Sequence, residues 1–196
     1  MTIVITGWRS AIAEEFRRIL RSAEVAVHGK PMAPNFPTEA QRYLFCQGLL
    51  RPKKYEDQTE EEIKEGIEVN YGSIVRACDL IFATNEFARV CIIGSESGYR
   101  GSFDENYASS KALIHRYIEA KRLTPHQQLV GISPGIIGDC RMTTSRADVE
   151  NLIRRRDEHP KKRFLEASEV AAMARTLLYF QPYITGTIIR MHGGAQ

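Results

Sequence analysis

Residues 92–112 read Ile-Ile-Gly-Ser-Glu-Ser-Gly-Tyr-Arg-Gly-Ser-Phe-Asp-Glu-Asn-Tyr-Ala-Ser-Ser-Lys-Ala. The stretch opens as the end of an apolar strand, Val90 to Ile93. It crosses a loop with glycines at 94, 98 and 101, then enters a helix carrying Tyr107 and Lys111. Four residues apart on a helix, those two side chains share one face, one turn apart. A cation beside a phenol favours the phenolate, so Tyr107 is a candidate acid or base near neutral pH. Ser95, at the strand's end, is placed to aim a hydroxyl at the same point. Taken alone, Tyr-x-x-x-Lys is more often an ordinary surface pair, so the rest of the chain must carry the case.

Upstream, residues 2–6, Thr-Ile-Val-Ile-Thr, are a β-branched run ending at Gly7, which reads as a buried strand. A helix is expected from Ser10, its N-cap, with Ala11, Ile12, Phe16, Ile19 and Leu20 on the apolar face. Val25–Val27 is the next strand. Strand, glycine turn, helix, strand is a right-handed crossover, and its turn is where a dinucleotide pyrophosphate meets a helix N-terminus. Of the usual three glycines only Gly7 is present; Ala11 and Ala13 stand where the others would fall. Residues 29–42 carry three prolines and read as a loop with one helical turn from Thr38.

Further along, Tyr43–Cys46 reads as a strand and Gln47-Gly48 as its turn. Residues 59–86 have a helical apolar period, with an irregularity expected at Asn70, Tyr71 and Gly72. The Tyr107 helix runs to Arg122. Gln128–Ser133 is a strand stopped by Pro134-Gly135, and 143–157 is polar and helical. Ser168–Tyr179 is a helix capped by Ser168, and Gly186–Met191 is the last strand. Alternating strands and helices predict one α/β domain over 1–196: a doubly wound, mostly parallel sheet of about six strands with helices on both faces.

Composition narrows the function classes. Of the 196 residues, 43% are hydrophobic and 26% charged, ordinary for a globular chain with a sizeable core. A net charge of +3 does not argue for nucleic acid. The basic cluster Arg154–Arg156 and Lys161–Arg163 is interrupted by Asp157 and Glu158 and reads as a solvated face. Cysteines 46, 78, 91 and 140 form no Cys-x-x-Cys pair and have no histidine cluster, so no metal site is expected and free thiols are the default. No apolar run reaches 18 residues, and the N-terminus lacks a signal-peptide layout. A cytoplasmic location is the expectation.

Joined in order, these pieces resemble the short-chain dehydrogenase/reductase family over nearly the whole chain. Thr6 to Ala13 is similar to the family's Thr-Gly-x-x-x-Gly-x-Gly with two glycines lost. Phe45-Cys46-Gln47-Gly48 stands for Asn-Asn-Ala-Gly, and Glu68-Val69-Asn70 for the Asn-bearing turn of the long helix. Gly94-Ser95 and Tyr107-Ala108-Ser109-Ser110-Lys111 match the catalytic serine and Tyr-x-x-x-Lys. Ser133-Pro134-Gly135-Ile136-Ile137 resembles the Pro-Gly loop near the nicotinamide, and His192 replaces the usual Asp after the last strand.

The resemblance implies roles. Tyr107 would exchange a proton with the substrate oxygen, and Lys111 would hold the nicotinamide ribose and bias Tyr107 toward phenolate. Ser95, with Ser97 as its rival, would hydrogen-bond the substrate oxygen, and Asn70 would hold a water relaying protons to Lys111. The dinucleotide would lie against Gly7, Arg9, Ser10, Ala11, Ile12, Lys30, Cys46, Gln47, Gly48, Pro134 and Ile137, besides Tyr107 and Lys111. One strand–helix unit that would wall the adenine pocket is missing after the second strand. The second strand ends Val27-His28-Gly29-Lys30, with no carboxylate before Glu39 for an NAD ribose. Lys30 and Arg9 suit a 2′-phosphate, so NADP(H) is expected over NAD(H). Helices 59–86 and 104–122 carry apolar residues beyond one narrow stripe, including Tyr71, Phe87, His115 and Tyr117, and relatives pair these two helices across a two-fold axis, which implies a homodimer or homotetramer. The expected activity is NAD(P)-dependent oxidation of a secondary alcohol or reduction of a carbonyl. The alternatives are a non-catalytic dinucleotide sensor or interaction subunit and a sugar-nucleotide epimerase or dehydratase. The substrate is not legible.

Overall fold

A computed structural model describes residues 3–20, 25–28, 31 and 36–195. Its centre is one parallel sheet of six strands: β1 (Ile3–Thr6), β2 (Val25–His28), β3 (Arg42–Phe45), β4 (Arg89–Ile93), β5 (Gln128–Pro134) and β6 (Thr187–Met191). They lie in the order β2-β1-β3-β4-β5-β6, every neighbouring pair parallel. The chain crosses from β2 at one edge to β3 on the far side of β1, so the order reverses between β1 and β3. Strands β1, β3 and β5 are buried along their whole length, as strands covered on both faces must be.

Helices cover both faces. On one side α1 (Ala11–Leu20) and α8 (Ala167–Phe180) close over Ile3, Ile5, Leu44, Cys91 and Val130. On the other, α3 (Ser73–Thr84) and α5 (Glu105–Ala120) cover Val4, Tyr43, Val90 and Leu129, and α2 (Glu60–Ile67) packs on α5. Buried Ile74, Ala77, Cys78 and Ile81 follow one helical face of α3, as do Val170, Ala171, Ala174, Leu177 and Leu178 of α8.

Several expectations shift. The irregularity at 70–72 is a π-helical turn, Glu68–Gly72, between α2 and α3. The glycine loop after β4 contains a short helix, α4 (Ser97–Arg100). The polar 143–157 segment is two helices, α6 (Arg141–Thr144) and α7 (Val149–Glu158). Helix α8 is capped by Glu166 paired reciprocally with Glu169, not by Ser168, because a carboxylate three residues before Glu169 closes the capping box first. The helical turn expected at Thr38 is absent; residues 36–41 are irregular up to β3. Gly29 and Lys30 lie outside the described residues.

Among the described residues, no strand or helix lies between β2 and β3. Phe36 takes part of that space. Its ring centroid is 5.6 Å from that of His28, 6.3 Å from Tyr43 and 6.4 Å from Phe45, so one aromatic side chain covers sheet that a crossover helix would otherwise cover.

Candidate active site

The C-terminal ends of β1, β3, β4 and β5 form a crevice at the reversal of strand order, the place where open parallel sheets bind ligands. Its floor is built by close backbone approach. Gly7 is left-handed at φ 65°, and a Cβ there would stand 2.5 Å from the Gln47 amide nitrogen. Only glycine meets both demands. The Cys46 amide donates to Thr6 O at 3.1 Å, locking the ends of β1 and β3 together. Ser10 caps α1 as expected: its Oγ accepts from the Ala13 amide at 3.2 Å. The remaining first-turn amides of α1 point at the crevice, a ready site for a phosphate group. Buried Gln47 Nε2 has no hydrogen-bond partner among the described residues, a donor left for a ligand.

Opposite stands α5. Asp104 caps it, accepting from the Tyr107 amide at 3.1 Å, and this carboxylate is almost fully buried. Its oxygens also accept from the Arg51 amide at 2.8 Å and from Gln58 Nε2 at 2.9 Å. The start of the helix and the loop beyond β3 are thereby fixed to one another. Tyr107 and Lys111 are only 7% and 2% exposed, so the pair is interior, not a surface pair. Lys111 Nζ donates to Ile93 O at 3.0 Å and Gln47 O at 3.4 Å, and lies 5.7 Å from the centre of the Tyr107 ring.

The electrostatics correct one expectation. Burial lowers the Lys111 pKa from 10.5 to about 8, with neighbouring Cys46 opposing. Burial also raises the Tyr107 pKa, while a hydrogen bond with Ser95 pulls it down. Desolvation is the largest of these effects, with Cys140 and Asp104 acting in the same direction, so the protein alone holds Tyr107 as the phenol. Of the two serines, Ser95 is the one whose hydroxyl acts on Tyr107. Its Oγ also accepts from the Ser97 amide at 3.1 Å, the turn that starts α4.

Asn70 is fully buried in the π-turn, beside the crevice. Both ends of its amide go to Leu49: Oδ1 accepts from the Leu49 amide at 2.8 Å, and Nδ2 donates to Leu49 O at 2.8 Å. The side chain fixes the segment after β3. A Cβ on Gly48 would lie 3.3 Å from the Met142 methyl and 3.9 Å from both Asn70 Oδ1 and Lys111 Nζ, so Gly48, Asn70 and Lys111 meet at one point. Pro134 O accepts from the Glu96 amide at 3.0 Å, and buried Ile137 pairs with Leu165 in an isolated bridge. Arg9 is exposed at the crevice rim and lies over Trp8, 5.0 Å from the indole centre.

Sequence reasoning missed four contributors. Asp104 was findable, since an Asp three residues ahead of Tyr107 is an N-cap signal. Met142 over Gly48 and His115 behind the serine turn carried none. Nor did Glu96: its carboxylate accepts from Ser133 Oγ at 2.8 Å and from Arg190 Nε at 3.0 Å, a partner 94 residues away that ties β6 to the serine turn.

Comparison with solved structures decides the fold. The chain superposes on a short-chain dehydrogenase/reductase described as a glucose/ribitol dehydrogenase from Brucella melitensis, with TM-score 0.85 and 18% identity, covering 98% of this chain and 95% of that one. It also superposes on BdcA in complex with NADPH, TM-score 0.83 and 17% identity over 98% and 93% of the two chains. A small-chain dehydrogenase in complex with NADPH matches at TM-score 0.80 and 19% identity over 99% and 97%. The fold is that of the short-chain dehydrogenase/reductases. No family model matches the sequence, and no curated protein does. At these identities the shared property is architecture, and that architecture includes the crevice at the β1–β3 reversal.

Proposed function

We propose that the chain is an NAD(P)-dependent oxidoreductase that reduces a carbonyl or oxidises a secondary alcohol. One observation carries the reading: Ser95, Tyr107 and buried Lys111 come together where the C-terminal end of β4 meets the N-terminal half of α5, on the crevice side of the sheet that also carries the N-terminus of α1. A bound nicotinamide cofactor supplies the hydride. The chain's own groups do the rest. The amides of Ala11 and Ile12 and Gln47 Nε2 would hold the pyrophosphate, and Lys111 would reach the adjacent ribose. Ser95 Oγ and Tyr107 Oη hold the substrate oxygen, with Tyr107 giving or taking its proton. Protonated Tyr107 suits the reductive direction, in which the phenol donates. Asn70 acts here by fixing Leu49 and Gly48; a relay of protons through that turn to Lys111 belongs to the same proposal.

Arg9 at the rim, with Lys30, favours NADP(H) over NAD(H), and two relatives in fold carry NADPH in their structures. The substrate is a small molecule. Helices α3 and α5 pair between copies as a homodimer or homotetramer, and four free thiols fit a reducing compartment such as the cytoplasm. No helix among the described residues is long and apolar enough to cross a membrane. A dinucleotide-binding protein without turnover is the second reading, favoured by Ala11 and Ala13 at positions of close approach.

Calorimetric titration of NADPH and NADH, with turnover over a panel of carbonyl substrates, tests both. NADPH is expected to bind more tightly, and Tyr107→Phe to retain that affinity while losing turnover by about 100-fold or more. Binding of the cofactors without turnover of any carbonyl or alcohol supports the second reading. Binding of neither at millimolar concentration removes both.

A further inference from the structure

The turn that presents Ser95 has little of its own to hold it. Gly94 and Gly98, on either side, lie so close to His115 that a Cβ would come within 2.6 Å and 2.7 Å of its ring, so neither carries a side chain that could anchor the chain. The backbone is tied at two points: the Gly94 amide donates to Ile132 O at 2.7 Å, and the Glu96 amide to Pro134 O at 3.0 Å. Ser95 stands between them, and the second tie is reinforced by the Glu96 side chain.

Glu96 is 6% exposed. Ser133 and Arg190 are register partners on β5 and β6, and both side chains reach its carboxylate. Ser133 Oγ donates to Oε1 at 2.8 Å, Arg190 Nε to Oε1 at 3.0 Å, and Arg190 Nη2 to Oε2 at 2.5 Å, a forked contact of the charge-assisted kind. Arg190 also grips the turn further on, its guanidinium 4.3 Å from the centre of the Tyr99 ring. Burial works against the charge of Glu96, but the hydrogen bonds from Arg190 and Ser133, with the charges of Arg190 and His192, hold its pKa below the ordinary carboxylate value. An apolar residue of similar volume would stabilise such a position as well as a buried ion pair does; what the fork adds is a fixed geometry.

We propose that Glu96 is a positioning residue for the active site: its carboxylate, gripped by Arg190 and Ser133, fixes the turn that aims the Ser95 hydroxyl at Tyr107. Ser95 Oγ accepts from the Ser97 amide at 3.1 Å, so the hydroxyl is tied to the backbone of the turn and moves with it. The consequence for turnover rests on the oxidoreductase reading above; the placement of Ser95 does not.

The test reads the full chain, labelled with carbon-13 at the tyrosine ζ position, by NMR without ligand, and Tyr107→Phe identifies the Tyr107 signal. Ser95→Ala is expected to shift that signal, because the phenol loses its neighbour. Glu96→Gln keeps the shape and removes the charge; it should shift the signal in the same direction and broaden it. Arg190→Gln should do the same, and the double variant should add little to either single change, since both break one contact. A role in stability alone predicts a lower unfolding midpoint with the Tyr107 signal unmoved. Should Glu96→Gln fail to fold, Arg190→Gln, at a side chain 39% exposed, decides by itself. Where a carbonyl is turned over, Glu96→Gln should lower kcat by about tenfold and change KM by less than about threefold. An unmoved signal in Ser95→Ala, or in a folded Glu96 or Arg190 variant, overturns the inference. A moved signal in a chain that turns over no carbonyl supports it and counts against the oxidoreductase reading alone.

Discussion

His115 shows how a single side chain behind the active site is governed by desolvation. It follows Lys111 by one turn of α5, is 4% exposed, and its two ring nitrogens have no partner among the described residues. Tyr99 stacks on it with centroids 4.5 Å apart, and a Cβ on Gly94 would come within 2.6 Å of its Nε2. Burial lowers its pKa from 6.5 to about 4, with Lys111 and Arg190 acting in the same direction and Glu96 against. A lowered histidine pKa means that the unfolded chain takes up the proton first as pH falls. The stability contributed by neutral His115 is therefore complete above pH 6.5 and lost as pH drops toward 4, by up to about 3 kcal/mol. Urea unfolding at pH 7 and pH 4.5 is expected to show a smaller acid loss in His115→Gln than in wild type; equal losses would sink this account. Gly94→Ala should separately destabilise the fold by about 1–3 kcal/mol through overpacking against that ring. Part of that cost should vanish in the Gly94→Ala, His115→Ala double variant. None of this was legible from the chain, where His115 counted only among the residues beyond one narrow apolar stripe of the helix. Its inward placement follows from the register of α5, since a helix that buries Tyr107 and Lys111 must also bury the residue one turn on.

At the scale of elements, the face carrying Tyr107 and Lys111 depends on how α5 and the π-turn are anchored. Asn70 satisfies both the amide and the carbonyl of Leu49 from inside the turn. Asn70→Ala is expected to cost about 2–4 kcal/mol, because two backbone groups near the interior lose their partners at once. The same change should loosen Gly48 and weaken cofactor binding. Chemical denaturation and cofactor titration measure the two effects, and a loss below about 0.5 kcal/mol would show that water replaces the amide without penalty. The order and type of the main elements were readable because β-branched runs, 3.6-residue periods and cap residues such as Ser10 are local signals. Even the irregularity at Asn70 was readable, from a polar residue inside an apolar helical pattern. What stayed hidden was set by distant partners. Helix α4 forms in a glycine-rich loop where Glu96 is anchored by Arg190 and Ser133, and Asp104 joins segments around Arg51 and Gln58. Those contacts exist only once the sheet has assembled, so no window of sequence contains them.

For the whole molecule, the strand order reverses between β1 and β3, and α2, α3 and α5 present an outer face on one side of the sheet. Ile67, Leu80 and Leu113 on these helices are 42%, 39% and 47% exposed, although the helices' inner faces are filled. Tyr117 Oη donates to Asp79 at 2.7 Å beside them, and Lys121 Nζ reaches the same carboxylate at 2.6 Å, so the outer surface is polar at one end and apolar along the middle. Such half-exposed aliphatic residues on adjacent helices suit an isologous contact, in which each side chain meets its own symmetry mate's neighbourhood. Under the pairing proposed above, Leu113→Arg sets a charge against the same patch on the partner and appears twice in every dimer interface. Light scattering at micromolar concentration should then give twice the chain mass or more for wild type and the single-chain mass for Leu113→Arg, with circular dichroism unchanged. If wild type already runs at the single-chain mass, the helices do not pair. If Leu113→Arg remains an oligomer, copies meet elsewhere, and the exposed edges β2 and β6 become the next surfaces to probe.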